Sequence, residues 1–251
     1  MKSFLLALQF LSIIPVKINR LDKKEIAFSL VYFPLIGLLL GLVLVGINSL
    51  LLFLKFPRFS IDVILVISLV IITGGLHLDG LSDTCDALSS GKDKNGMLEI
   101  MRDSRAGVMG ILSLISVILL KIALLYSITN SVKPVSLILM CSISRWALVW
   151  AVFLFSYARE AGKAKDFFEG ITLKIFILAT ILILLLVIVS WWLKGLLSLM
   201  ITAGCVWIIG KFISKKLNGV TGDVLGAINE ITEVLVLLSV CILERINLWV
   251  I

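Results

Sequence analysis

Asp79, Asp83 and Asp86 stand at i, i+4 and i+7 in TGGLHLDGLSDTCDA, at the head of a polar stretch that also carries Asp93, Glu99 and Asp103. On an α-helix that spacing puts three carboxylates on one face, within roughly 60° of one another. Like charges so placed repel, and the penalty grows near a low dielectric. Protonation, basic partners or a divalent cation must compensate. Mg²⁺ favours oxygen ligands, keeps several waters, and typically adds one or two carboxylates and substrate phosphates. The three aspartates are therefore candidate metal ligands at a site for phosphate chemistry. His77 is the only histidine and lies two residues before Asp79. It is a candidate base, ligand or phosphate donor, and His77, Asp79 and Asp83 form the candidate catalytic group. The plain alternatives are a solvated acidic loop, or carboxylates paired with Arg102 and Arg105.

Two further segments fit the same chemistry. In LEIMRDSRAG, Arg102, Asp103, Ser104 and Arg105 are candidate substrate-binding residues, because the planar fork of arginine suits phosphate. In GVTGDVLGAINEITE, residues 219–233, Asp223 and Glu230 lie seven apart, hence on one helix face, and are further metal candidates. Asn229 is a substrate-binding candidate beside them. Gly226 leaves room for a ligand or a neighbouring helix, although small residues also simply let membrane helices pack. Two acidic segments far apart in sequence are expected to converge on one site.

The elements that position these residues are membrane helices. Of 251 residues 60% are hydrophobic, and the mean hydropathy is +1.15. A spanning helix needs roughly 20 mostly apolar residues. Seven such runs are expected, at 30–53, 61–78, 108–128, 134–157, 173–193, 196–213 and 231–250. The fold class is all-α, a polytopic membrane bundle of about seven helices; a barrel would show about 10-residue alternating segments, and there are none. Residues 1–251 read as one integral membrane domain, with 1–17 a short interfacial or re-entrant helix. Segments 79–107 and 214–233 are the expected active-site segments. Basic residues crowd alternate loops: Lys17, Arg20, Lys23 and Lys24; Lys92, Lys94, Arg102 and Arg105; Arg159, Lys163 and Lys165; Lys211, Lys215 and Lys216. The positive-inside rule puts those loops, and the acidic segments, in the cytoplasm, with the N-terminus inside and the C-terminus outside. The net charge of +7 is thus topological, and no nucleic-acid partner is expected. Cys85, Cys141, Cys205 and Cys241 form no CxxC pair, so neither a disulfide framework nor a zinc site is expected.

TGGLHLDGLSDTCDA followed by LEIMRDSRAGVMG resembles the core signature of the cobalamin synthase family, the adenosylcobinamide-GDP ribazoletransferases. FLSIIPV near the start, YFPLIGLLLG at 32–41 and GVTGDVLGAINEITE add to a likeness that covers most of the chain. Ser82 and Cys85 stand where the family carries small residues such as alanine. The resemblance implies an enzyme of the cytoplasmic membrane that joins adenosylcobinamide-GDP to α-ribazole or its 5′-phosphate. The products are adenosylcobalamin or its 5′-phosphate, with release of GMP, in the final step of nucleotide-loop assembly. It also implies Mg²⁺ as cofactor, the lipid bilayer as surroundings, and a ribazole 5′-hydroxyl as nucleophile. A homo-oligomer and contacts with other nucleotide-loop enzymes of cobalamin synthesis are further expectations. Two rivals are a membrane phosphotransferase of the CDP-alcohol type and an ion-coupled transporter. The first expects an AR pair after the DG at 79–80, where this chain has LSDT. The second expects paired repeats and midplane charges rather than acidic residues grouped at one face.

Overall fold

The computed structural model describes residues 2–16, 22–162 and 164–246, and these are helical almost throughout. Among them the one β-type pairing is an isolated bridge between Tyr157 and Val220. The helices are α1 (Lys2–Leu11), α2 (Lys23–Ser29), α3 (Phe33–Phe53), α4 (Arg58–Thr73), α5 (Leu76–Ser89), α6 (Lys94–Ile100), α7 (Val108–Ser127), α8 (Lys133–Leu154), α9 (Lys165–Gly170), α10 (Leu173–Leu217) and α11 (Gly222–Leu243). A 3₁₀ turn, Leu30–Tyr32, joins α2 to α3 into one run. Expectations for Lys17, Arg20, Lys163 and the chain end after Ile246 fall outside the described residues.

Five helices are long and apolar enough to cross a membrane: the run Lys23–Phe53, α7, α8, α10 and α11. The bent pair α4 and α5 makes a sixth if taken as one broken span. The protein is thus an all-helical integral membrane protein, with five to six candidate spans rather than the seven expected. Two local features account for the difference. The expected span at 61–78 breaks at Gly74 and Gly75, both left-handed (φ 64° and 69°), which end α4 and turn α5 by 91°. Glycine adopts that conformation without the cost a Cβ would carry. The expected spans at 173–193 and 196–213 are one helical run, α10, whose dihedrals leave the helical region at Trp191 and Trp192. There Gly195 closes onto the carbonyl of Val187, so the chain turns back on itself.

Helices α8 and α11 form the centre. Most residues of each are buried, whereas α7 and α10 show much of their apolar surface outward. Gly37 and Gly41 of α3, one turn apart, bring it against the α8 backbone: a Cβ on Gly37 would stand 2.6 Å from Ser142 Cα, and one on Gly41 2.7 Å from Ile138 Cα. Small residues at such spacing are how membrane helices pack closely, since lipid supplies no hydrophobic drive between them. The α1 segment docks on this bundle rather than standing apart. Ala7 and Leu11 are buried, and Ile13 N–H donates to the Ile72 carbonyl at 2.8 Å.

Charges inside the bundle are paired. Lys121 of α7 bonds Glu230 (2.6 Å) and Glu233 of α11, Arg145 of α8 bonds Glu233, and Asn229 donates to Glu233 at 3.1 Å. Lys133 bonds Asp62. Two cations against two carboxylates make the first network neutral, as buried charge requires.

Candidate active site

Helix α5 presents Asp79, Asp83 and Asp86 at helical spacing, and α11 opens with Asp223. The two helices cross at glycines. A Cβ on Gly80 would stand 2.6 Å from the Asp223 carbonyl oxygen, and one on Gly226 3.0 Å from that of His77. The space beside Gly226 is therefore filled by the backbone of α5. This contact brings the two acidic segments together. The charges that reach Asp83 are the negative ones of Asp79, Asp223 and Asp86 and the positive one of Arg159.

A cavity of about 380 Å³ opens at this crossing, with His77, Asp79, Tyr157, Arg159 and Asp223 in its wall. Arg159 donates to Asp223 Oδ2 at 2.7 Å, and the Thr221 hydroxyl lies 3.4 Å from the same oxygen while accepting the Val224 N–H as the α11 cap. The segment after α8 is pinned to the start of α11 by reciprocal backbone bonds, Val220 N–H to Ser156 and Ala158 N–H to Val220, each 2.9 Å. That pairing carries Tyr157 and Arg159 into the cavity. Burial raises the Tyr157 phenol above its usual range, with Asp223 adding to the rise and Arg159 and Arg102 opposing it. His77 is buried, and neither ring nitrogen has a protein partner.

The other expected site residues take different positions. Asp86 accepts the N–H groups of Gly107 and Gly110 at 2.7 and 2.8 Å, so it caps the start of α7 from outside the helix. Both glycines lie against this carboxylate, where a Cβ would collide. Glu230 and Asn229 are buried in the network around Lys121 and Glu233, and do not line the cavity. Arg102 is exposed at the end of α6, with its charge felt at Tyr157. Arg105 is exposed and holds Asp103 in a fork at 2.8–3.2 Å, which keeps the Asp103 carboxyl below the usual carboxylate range. Ser104 is exposed between them. Tyr157 and Arg159 were not expected as site residues. Arg159 carries the same signal that marks a topological cation, a basic residue just past an apolar run, and only the Ser156–Val220 pairing distinguishes it.

Among the described residues, no three His, Cys, Asp or Glu side chains form a ready-made metal cage. Mg²⁺ takes few protein carboxylates and completes its shell with water and substrate phosphate. The donors here are carboxylates in excess of local cations, a fit for a hard divalent ion. What the arrangement offers is carboxylates and the Arg159 guanidinium together in one cavity at the edge of an apolar bundle.

Fold and cavity together define a polytopic helical membrane protein with a mixed acidic and basic pocket. A family model described as cobalamin-5-phosphate synthase matches residues 3–241, and the chain belongs to that family. It is similar to an adenosylcobinamide-GDP ribazoletransferase of Desulforamulus reducens, 35% identical over 98% of both chains. It is also similar to enzymes of that name from Clostridioides difficile, 37% identical over 97% of this chain and 98% of the relative, and Klebsiella pneumoniae, 37% over 95% and 98%. No solved structure matches.

Proposed function

We propose that this chain joins adenosylcobinamide-GDP to α-ribazole, or to its 5′-phosphate, giving adenosylcobalamin or its 5′-phosphate and releasing GMP. The observation that carries this beyond family membership is the meeting of Asp79, Asp223 and Arg159 at one cavity, with Asp83 one turn along α5 from Asp79 and within reach of their charges. A ribazole hydroxyl oxygen attacks the phosphorus attached to the cobinamide arm, and the bond from that phosphorus to the GMP oxygen breaks. Because the 5′-phosphate also serves as substrate and persists in its product, the nucleophile is a ribose ring hydroxyl, which revises the 5′ assignment drawn from the resemblance. Asp79, Asp83 and Asp223 would hold Mg²⁺, which supplies charge neutralisation at the diphosphate and at the leaving phosphate. Arg159, aided by the exposed Arg102 after α6, orients the phosphates; His77 or Asp79 takes the hydroxyl proton. Such catalysis rests mainly on positioning and charge.

The cavity opens toward the cytoplasm in this reading, since Lys92, Lys94, Arg102, Arg105 and Arg159 share its side of the chain. The reversal at Trp191–Trp192 then makes α10 two crossings. A helix of 45 residues would otherwise extend about 68 Å, twice the hydrocarbon thickness. With α4 as a crossing, the count is seven. Purified protein in nanodiscs is expected to form GMP and cobalamin from the two substrates with Mg²⁺ and not with EDTA. Asp79→Asn and Asp83→Asn are expected to lose at least about a hundredfold in kcat at unchanged Tm, a typical loss for charge-stabilising groups. Full activity in both variants would remove them from the metal site.

A further inference from the structure

The cavity has two chemically different ends. Besides the charged groups, α1, α3 and α9 each contribute one ring to the lining: Phe10, Phe33 and Phe167. Phe10 and Phe33 stack with centroids 5.8 Å apart and planes 18° off parallel, and Phe167 meets both edge-on at 5.0 and 5.8 Å. Leu30, Leu148 and Val152 complete an apolar lining. Three aromatic rings from three elements, packed on one another, thus line the same cavity as Arg159 and Asp79.

We infer that this aromatic end is the subsite for the benzimidazole base of the ribazole, an inference that rests on the function proposed above. Three considerations lead there. The volume, about 380 Å³, lies at the small end of ligand pockets and suits a nucleoside, whereas a corrin with its amide arms far exceeds it. The base must be flat to use aromatic faces and edges. Its rim must also be apolar. Guanine, the other flat ring among the substrates, carries donors and acceptors around its edge, and burying them among Leu30, Leu148, Val152 and the phenylalanines leaves them unpaired, a cost that discriminates strongly. An alkylated benzimidazole nucleoside has a single free ring nitrogen on its edge and no donor. With its base held there, the ribose reaches the charged wall, and the corrinoid and guanosine parts of the other substrate lie outside the aromatic end. Phe10, Phe33 and Phe167 are thus specificity-determining residues for the nucleoside.

The test uses the full-length protein in nanodiscs, with KM measured separately for each substrate. Phe10→Ala and Phe167→Ala are expected to raise the KM for α-ribazole about tenfold or more, the scale of one lost base–aromatic contact. The KM for adenosylcobinamide-GDP is expected to stay within about twofold. Phe167→Leu, which keeps the bulk, serves if the alanine variant fails to fold as judged by Tm, and is expected to show the same selective rise. Equal changes in both KM values, or none in either, would overturn the subsite. Binding of free 5,6-dimethylbenzimidazole, followed by its own fluorescence, separates this inference from the proposed reaction. Wild-type binding weakened by Phe10→Ala upholds the subsite even if no GMP is released; turnover with an unchanged ribazole KM in both variants removes the subsite and leaves the reaction standing.

Discussion

Arg159 holds Asp223 at 2.7 Å in the cavity proposed to bind phosphate. The pair is only partly buried, so it can exchange one carboxylate for another acceptor when substrate enters. Arg159→Ala is therefore expected to raise the KM for adenosylcobinamide-GDP by about tenfold or more. Arg159→Lys should recover only part of it, because a point charge does not replace two parallel donors; equal KM values for wild type and Arg159→Ala would take the residue out of substrate binding. Asp86 is a different case. Both of its oxygens are occupied by backbone N–H groups at the start of α7. Asp86→Ala is expected to lower stability by about 1–2 kcal/mol, as loss of a helix cap does, measurable as a lower Tm in detergent. If Asp86→Ala kept the wild-type Tm and lost activity alone, Asp86 would belong with the metal ligands instead. From spacing alone Asp79, Asp83 and Asp86 are equivalent; what separates them is a contact with a helix that begins twenty-odd residues later, which no local pattern encodes.

At the scale of elements, the site exists because α5 and α11 approach at backbone distance. Gly80 and Gly226 permit this, and each is predicted to be intolerant of even one methyl group. Gly80→Ala would push α5 off Asp223 and separate the two carboxylate groups; kcat is expected to fall about a hundredfold, the scale of a misplacement near 1 Å. A Gly80→Ala enzyme with wild-type kcat would show that the crossing can relax. Much of this architecture was legible beforehand. The i, i+4, i+7 aspartates do lie on one helix, and the two acidic segments do meet. The break at Gly74–Gly75 was less so: the apolar run continues through Leu76 and Leu78, and hydropathy windows average over a turn. Glu230 was drawn to the metal site by its spacing from Asp223, yet it faces Lys121. The available signal was the lone cations at mid-helix, Lys121 and Arg145, since ionisable groups within membrane helices find each other.

For the whole molecule, the neutral cluster of Lys121, Arg145, Glu230 and Glu233 ties α7, α8 and α11 together. Lys121→Met is expected to cost about 3–5 kcal/mol by stranding a buried carboxylate, and Lys121→Met combined with Glu230→Gln should recover part of that; additive losses in Tm would mean the two residues do not sense each other. The cluster also bears on how the protein is made. Both cations are synthesised long before either glutamate, because α7 and α8 precede α11 in the chain. Until α11 enters the bilayer, each earlier helix carries a solitary positive charge in lipid, at about 2.5–3.5 kcal/mol apiece by insertion scales. Arrival of the last helix therefore acts as a latch on biogenesis. A nascent chain cut short before Asn229 would be left with two exposed cationic helices, the kind of defect by which membrane quality control tells unfinished proteins from finished ones.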